Sequence, residues 1–152
     1  MAGRVDFYLL SEPAHAGKLT LACRLAEKAY RLGHMIYVYT NDDDETRRVD
    51  DLLWTFQDGS FVPHAPLREL TEDDDRYPVV VGNDPPPAWL DNVLISLRPD
   101  VPECFIRFQR IVEPVAFDEH DKARARERFR YYRDQGAILD THHIGLKNGS
   151  YR

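Results

Sequence analysis

The fold is decided near the N-terminus, by the segments VDFYLL (5–10), GKLTLACRLAEKAYRL (17–32) and HMIYVYT (34–40). The first is a short apolar and aromatic run followed by loop-forming residues, which predicts a buried strand. In the second, apolar residues recur at steps of three and four before Gly33, so we expect a helix that ends there. The third is rich in β-branched and aromatic residues and predicts a second strand.

An acidic run at 41–45 follows the second predicted strand and supplies an N-cap and negative charge for another helix, which should reach about Trp54. This alternation of strands and helices is typical of a parallel sheet with helices on its faces. The remaining predicted elements are strands at Val79–Gly82 and Asn92–Leu97, a strand or short helix at Phe108–Val112, and a last helix at His120–Gln135.

The chain is therefore predicted to be an α/β protein with one domain and a mostly parallel sheet. At 152 residues and 43% apolar composition it can build one well-packed core. We expect this domain to cover residues 1–141, with residues 142–152 as a C-terminal tail. The histidines of that segment, His142 and His143, follow Asp140, but neighbours in sequence point in different directions. A solvated segment is therefore favoured over a metal site there.

Charge and cysteine content restrict the classes of function. A formal net charge of −6 should repel nucleic acid from the molecule as a whole, so any association with DNA is expected to be indirect. The two cysteines, Cys23 and Cys104, are too few for a disulfide scaffold and favour a cytoplasmic location. Arg4 and Asp6 interrupt the first apolar stretch, which excludes a signal peptide, and no apolar run is long enough to span a bilayer.

Familiar catalytic and cofactor motifs are not found in the sequence. The segment Ala16–Thr20 suggests a phosphate-binding loop, but Glu12 and Leu19 stand where that motif needs glycine and Ser or Thr. There is no G-x-G-x-x-G, no G-x-S-x-G and no H-E-x-x-H. We therefore expect no cofactor and no catalytic residue, and a nucleotide-dependent enzyme with an atypical site is kept as an alternative.

A basic stretch, KARARERFRYYR (122–133), departs from the acidic balance of the chain. On a helix, Ala125, Phe129, Tyr132 and Gly136 share one sector and should face the core. The neighbouring sector carries Lys122, Arg126, Arg130 and Arg133. Such a row of cations beside an apolar seam suits an acidic peptide that ends in an aromatic residue. A solvated helix face, a phosphate ligand or a nucleic acid strand would also fit it.

Several blocks of the sequence are distinctive when taken together. They are VDFYLL (5–10), LW (53–54) with SFVPH (60–64), VLISLR (93–98), and ARERF (125–129) with Tyr132, Arg133 and Gly136. These blocks resemble those of the chi subunit family of bacterial DNA polymerase III. The blocks occur in the family's order and cover most of the chain. Phe129 stands where the family often has Tyr, and residues 65–87 show little that matches.

The resemblance implies a three-layer Rossmann-like fold with helices on both faces and no cofactor loop. It also implies a non-catalytic adaptor with two partners. One is the psi subunit, expected at Trp54 and Phe61. The other is the acidic C-terminal tail of single-stranded DNA-binding protein, which ends in Pro-Phe. Its expected contacts are Lys122, Arg126, Phe129, Arg130 and Arg133, with Val115 beneath them. Alternatives are direct binding of single-stranded DNA and an adaptor role for a helicase or repair partner.

Overall fold

A computed structural model describes residues 3–11, 17–56, 61–71 and 77–145. Within these residues the chain forms seven strands and three α-helices. In chain order they are β1 (Arg4–Leu10), α1 (Gly17–Arg31), β2 (Ile36–Tyr39), α2 (Asp43–Thr55), β3 (His64–Pro66), β4 (Val79–Gly82), β5 (Val93–Ser96), β6 (Arg110–Val115), α3 (Glu119–Asp134) and β7 (Ile138–Ile144). Short 3-10 helices at Leu67–Glu69 and Glu103–Arg107 connect neighbouring elements.

The described strands form one sheet in the order β3-β4-β2-β5-β6-β1-β7, and every pairing is parallel. Strand β1 pairs with β6 on one side and β7 on the other, with Phe7 opposite both Glu113 and Thr141. The central strands β2, β4 and β5 are buried throughout, as expected for a parallel sheet covered on both faces. The predicted α/β fold with a mostly parallel sheet is confirmed.

Helices cover the sheet on both faces, which gives the predicted three layers. One core lies under α1 and α2, where Cys23 and Val49 pack with Val38 of β2. The other lies under α3, where Ala125 and Tyr132 pack against the opposite side of the sheet. The resulting molecule has the Rossmann-like architecture expected from the sequence, and α3 is the only α-helix on its face among the described residues.

Aspartates cap the N-termini of α2 and α3, and the first of them lies in the acidic run predicted to supply an N-cap. Asp42 caps α2 by accepting a hydrogen bond from the backbone N–H of Glu45. Asp118 caps α3 in the same way, with Asp121 as the donor. Gly136 follows α3 with a φ of 85°, a conformation that favours glycine. It is exposed in this position, so the expectation that it faces the core is wrong.

The C-terminal boundary and two strands need correction. β7 extends to Ile144 and hydrogen-bonds β1, so the predicted tail from residue 142 begins too early. Both histidines lie in this strand; His143 is exposed, as expected for a solvated residue, and His142 is half-buried. β3 was not predicted, and the ambiguous segment near Phe108 contributes a strand, β6, after a 3-10 helix. Residues 146–152 of the expected tail lie outside the described residues.

Candidate functional site

Helix α3 carries the basic stretch and is fixed to the sheet by a buried ion pair. Arg128 donates from Nε to Oε1 of Glu113 at 2.9 Å, and Tyr132 donates its hydroxyl to Oε2 at 2.8 Å. The Arg128 side chain is 4% exposed and that of Glu113 is 0% exposed. Arg128 also donates to the backbone oxygen of Pro99 at 3.0 Å. These bonds set both the position and the rotation of α3 on the sheet.

The protonation of this network is governed by burial and by the partners. Burial raises the pKa of Glu113 from its ordinary value, and the charge of Arg128 and the hydrogen bonds from Tyr132 and Arg128 oppose that rise. The pKa of Tyr132 is raised strongly, first by burial and then by the neighbouring Glu113. Tyr132 therefore stays protonated and can serve as a permanent donor to the carboxylate.

A small pocket lies between α3 and the outer strands β1 and β7, with a volume of about 160 Å³. The wall residues are Phe7 and Leu9 of β1, Thr141 of β7, and Lys122, Ala125, Arg126 and Phe129 of α3. The Phe129 ring is half-buried and lies 5.5 Å from the ring of Phe7. The pocket is thus mainly apolar inside, with two cationic side chains on its helical wall.

The cations of α3 differ in whether they have a partner. Within the described part of the chain, Arg126 and Arg130 form no ion pair or hydrogen bond and are exposed. The Lys122 amine lies over the Phe117 ring, 4.4 Å from its centroid, and has no ion pair or hydrogen bond with the residues that the structure describes. By contrast, Arg124 pairs with an aspartate at 3.0 Å and Arg133 with its neighbour at 3.5 Å. The unpaired cations Lys122, Arg126 and Arg130 define what we call the basic stripe.

The structure brings together three of the residues predicted for this site and separates three others. Lys122, Arg126 and Phe129 line the same pocket. Arg130 is exposed on the next turn of α3, and Arg133 is engaged with Asp134. The predicted floor residue, Val115, is fully buried in the core beneath α3 and is not among the described wall residues.

A second surface, at the C-terminal end of α2, is aromatic rather than charged. Trp54 is 56% exposed and Phe61 is 62% exposed, and their ring centroids lie 5.7 Å apart. The Trp54 ring also lies 4.7 Å from the imidazole of His64, whose Nε2 is 3.2 Å from an oxygen of Asp50. We call Trp54 and Phe61, with His64 behind them, the aromatic patch. Two large apolar side chains are therefore exposed to water beside a buried imidazole.

Sequence reasoning missed part of the α3 pocket and the anchor of α3. Phe7 and Leu9 could have been placed there, because alternate residues of a strand face the same side. Thr141 could not, since its strand was not predicted. The role of Arg128 depends on a glutamate in a buried strand, and Glu113 was not singled out because its strand was ambiguous.

One group of residues could be considered for a metal ion. A ligand atom from each of Asp6, Asp140 and His142 lies within 4.8 Å of the others. However, Arg4 donates to both aspartates, and Arg110 contacts Asp6 at 3.0 Å. Burial would raise the pKa of Asp6, but hydrogen bonds from Arg4 and His142 and the charge of Arg110 lower it below its ordinary value. These carboxylates are already neutralised by arginines, so the group fits a structural ion-pair network better than a metal site.

The fold and the two surfaces define a class of protein: a Rossmann-like α/β domain with an apolar pocket beside cations of α3 and an exposed aromatic patch. Comparison with known proteins identifies the family. The family model for "DNA polymerase III chi subunit, HolC" matches residues 2–140. The chain is 36% identical over 141 residues to DNA polymerase III subunit chi of Pseudomonas aeruginosa, covering 93% of this chain and 96% of that protein.

Two further relatives agree with this result. Subunit chi of Haemophilus influenzae is 29% identical over 152 residues, covering 95% of this chain and all of the relative. Subunit chi of Escherichia coli is 30% identical over 148 residues, covering 89% of this chain and 94% of the relative. The chain belongs to the DNA polymerase III chi subunit family, and the predicted family is confirmed. Among the described residues, no helix is long and apolar enough to cross a membrane.

Proposed function

We propose that this chi-family chain is a non-catalytic adaptor of the replisome. It links the clamp loader of DNA polymerase III, through the psi subunit, to the acidic C-terminal tail of single-stranded DNA-binding protein. The observation that carries this proposal is the placing of unpaired cations beside an apolar pocket on α3. Such a surface suits a ligand with acidic residues and one terminal ring.

The pocket and the basic stripe match the two parts of such a tail. A volume of about 160 Å³ holds one side chain rather than a cofactor, and its Phe7 and Phe129 walls favour an aromatic ring. Arg126 lies at the pocket wall with its guanidinium free, so it can bind a terminal carboxylate bidentately. Lys122 and Arg130 flank it and suit acidic side chains earlier in the tail. Arg128 has its charge satisfied internally and has no part in binding.

The aromatic patch is proposed as the psi-binding surface. Exposed Trp and Phe side chains are costly in water and are typical anchors of protein interfaces. Trp54 and Phe61 are both more than half exposed and lie in ring contact, so a partner could bury both at once. This patch belongs to α2 and the segment after it, whereas the basic stripe belongs to α3. The two partners would then use separate residues of the chain.

The proposal is tested by titrating the full chain with an acidic peptide that ends in Pro-Phe. Arg126→Ala should weaken binding about tenfold or more, since a charge-assisted contact is worth about 1.5–3 kcal/mol. Arg47→Ala is a matched control, because Arg47 is an exposed arginine of another helix with a 76% exposed side chain. Affinity for the wild type should also fall as ionic strength rises.

Equal affinity of wild type and Arg126→Ala, or an isotherm insensitive to salt, would remove the basic stripe from the site. A gel shift with single-stranded DNA and the isolated chain separates this function from direct DNA binding. We expect no shift, because the net charge of −6 opposes a polyanion. A shift that Arg126→Ala abolishes would instead favour the DNA-binding alternative.

A further inference from the structure

A second pocket of about 320 Å³ lies on the opposite face of β1 from the α3 pocket. Alternate residues of β1 face the two sides, so Phe7 and Leu9 line the first pocket and Tyr8 lines the second. The second pocket is bounded by α1 on one side and by β1, β5, β6 and β7 on the other. We call it the α1-face pocket. Its volume is within the range of small-molecule sites, about 300–1,000 Å³.

The walls of the α1-face pocket are largely aliphatic. Leu25 and Ala29 of α1 face Val93 of β5 and Val112 of β6. Leu32 follows the end of α1, lines the pocket and is 66% exposed. An apolar ligand would remove this side chain from water, which favours binding.

Apart from Tyr8, the polar side chains that line this pocket are basic. These basic residues are Lys28, His34, Arg110 and His142, and no acidic residue is among the described wall residues. Lys28 is exposed, and its amine has no ion pair or hydrogen bond within the described chain. The pocket thus combines an apolar interior with a free cation, in a protein whose net charge is negative.

Two of these basic groups are held in place by a buried carboxylate. Asp6, whose side chain is 1% exposed, contacts Arg110 Nε at 3.0 Å and His142 Nε2 at 2.9 Å. The imidazole of His142 is also stacked on the Tyr8 ring, 4.4 Å away with an interplanar angle of 16°. This wall is therefore ordered before any ligand arrives, which lowers the entropic cost of binding.

The end of α1 does not oppose an anion here as strongly as a bare helix C-terminus would. Its last carbonyl groups accept backbone hydrogen bonds from the residues that follow: the N–H of Leu32 donates to Lys28, that of Gly33 to Tyr30, and that of His34 to Ala29. This closure satisfies the groups that carry the negative end of the helix dipole. Lys28 adds a full positive charge in the last turn.

We infer that the α1-face pocket binds an apolar carboxylate, with its hydrocarbon part against Leu25, Leu32 and Val93 and its carboxylate at Lys28. This chemistry is shared by small aromatic acids and by the free C-terminus of a peptide whose last residue is apolar. The pocket is separate from the proposed tail site, because β1 lies between them. Either site can therefore be lost without the other.

The test uses the isotopically labelled full chain carrying Arg126→Ala, so that the α3 pocket is disabled. It is titrated with 3-phenylpropionate, its uncharged amide, and the tripeptide Gly-Gly-Phe with a free or an amidated C-terminus. Backbone amide shifts are followed at Lys28, Leu32 and Val93. We expect millimolar binding of at least one free acid, about tenfold weaker binding of its amide, and loss of binding in Lys28→Glu.

Matched variants make the outcome decisive. Lys28→Arg should retain binding, and Arg47→Glu, the same change of charge on α2, should leave it unaltered. Preference for the small acid or for the tripeptide identifies the source of the ligand, and either supports the inference. Equal binding of acid and amide, binding unaffected by Lys28→Glu, or no shift at these residues with any probe would overturn it. None of these results depends on the titration with the acidic tail peptide, which measures the contribution of Arg126 to binding at the α3 pocket.

Discussion

Arg126 and Arg128 stand two residues apart on the same helix and have opposite environments. Arg128 is buried, bonded to Glu113 and to a backbone carbonyl, and holds α3 against the sheet. Arg126 is exposed, unpaired within the described residues and located at the wall of an apolar pocket. Residue type is identical in the two positions. A structural arginine therefore differs from one available to a ligand in its position around the helix and in having an internal partner.

The largest effect is expected from substituting Arg128, the buried arginine of the two. Arg128→Ala leaves Glu113 without its cationic partner in a site with 0% side-chain exposure. Such a loss should lower the free energy of unfolding by about 3–5 kcal/mol, measured by urea denaturation. Arg126→Ala should change it by less than about 0.5 kcal/mol, since that side chain has no internal contact to lose.

A double variant tests whether the loss of stability in Arg128→Ala comes from the unpaired charge of Glu113. Replacing the pair together by Arg128→Met and Glu113→Leu removes both buried charges, and apolar replacements of such pairs are often neutral or stabilising. Recovery of most of the stability lost in Arg128→Ala would attribute the loss to the uncompensated carboxylate. If the double variant is as unstable as the single one, the cause is packing around Arg128 or the buried Tyr132 hydroxyl left without its acceptor, rather than the uncompensated charge.

The general fold and the exposed side of α3 could be predicted from the sequence. Apolar runs and helical periodicity are local signals, and they located β1, α1, β2, α2 and α3 within a residue or two. The same periodicity placed Lys122, Arg126 and Phe129 on neighbouring parts of one face, where the structure finds a shared pocket. Local spacing suffices here because the arrangement depends on a single helix.

Features that depend on contacts distant in sequence could not be predicted. β7 has polar residues at Asp140, Thr141 and His142 and is mostly exposed, so it lacks the apolar signal of an inner strand. β7 forms by pairing with the edge of β1 that β6 leaves free, so predicting this strand requires knowledge of the sheet order. The ion pair of Arg128 likewise joins α3 to a strand. Helical phase places Arg128 on the face of Ala125 and Tyr132, but it could not show that Glu113 of β6 lies there to pair with its charge.

An intermediate effect is expected at the aromatic patch, where contact rests on apolar area instead of charge. Trp54→Ala should weaken binding of the psi subunit by about 2 kcal/mol or more, about thirtyfold, because exposed tryptophans are frequent interface anchors. Its loss should leave the affinity for the acidic tail peptide unchanged. Isothermal titration with each partner checks both statements. Wild-type affinity for psi in Trp54→Ala would remove the patch from that interface.

The smallest effect is expected from Arg133, which tests whether an internal partner reduces the availability of an exposed arginine. Arg133 lies 3.5 Å from an oxygen of Asp134, whereas Arg130, one turn earlier, has no partner in the described chain. Arg133 would have to give up its contact with Asp134 to bind the tail, and an exposed pair of this kind is worth about 0.2–1 kcal/mol. Arg133→Ala should therefore lower tail affinity by less than about twofold, and Arg130→Ala by more. If Arg133→Ala costs as much as Arg126→Ala, the Asp134 contact does not hold Arg133 away from the ligand, and the binding surface extends a full turn beyond the pocket.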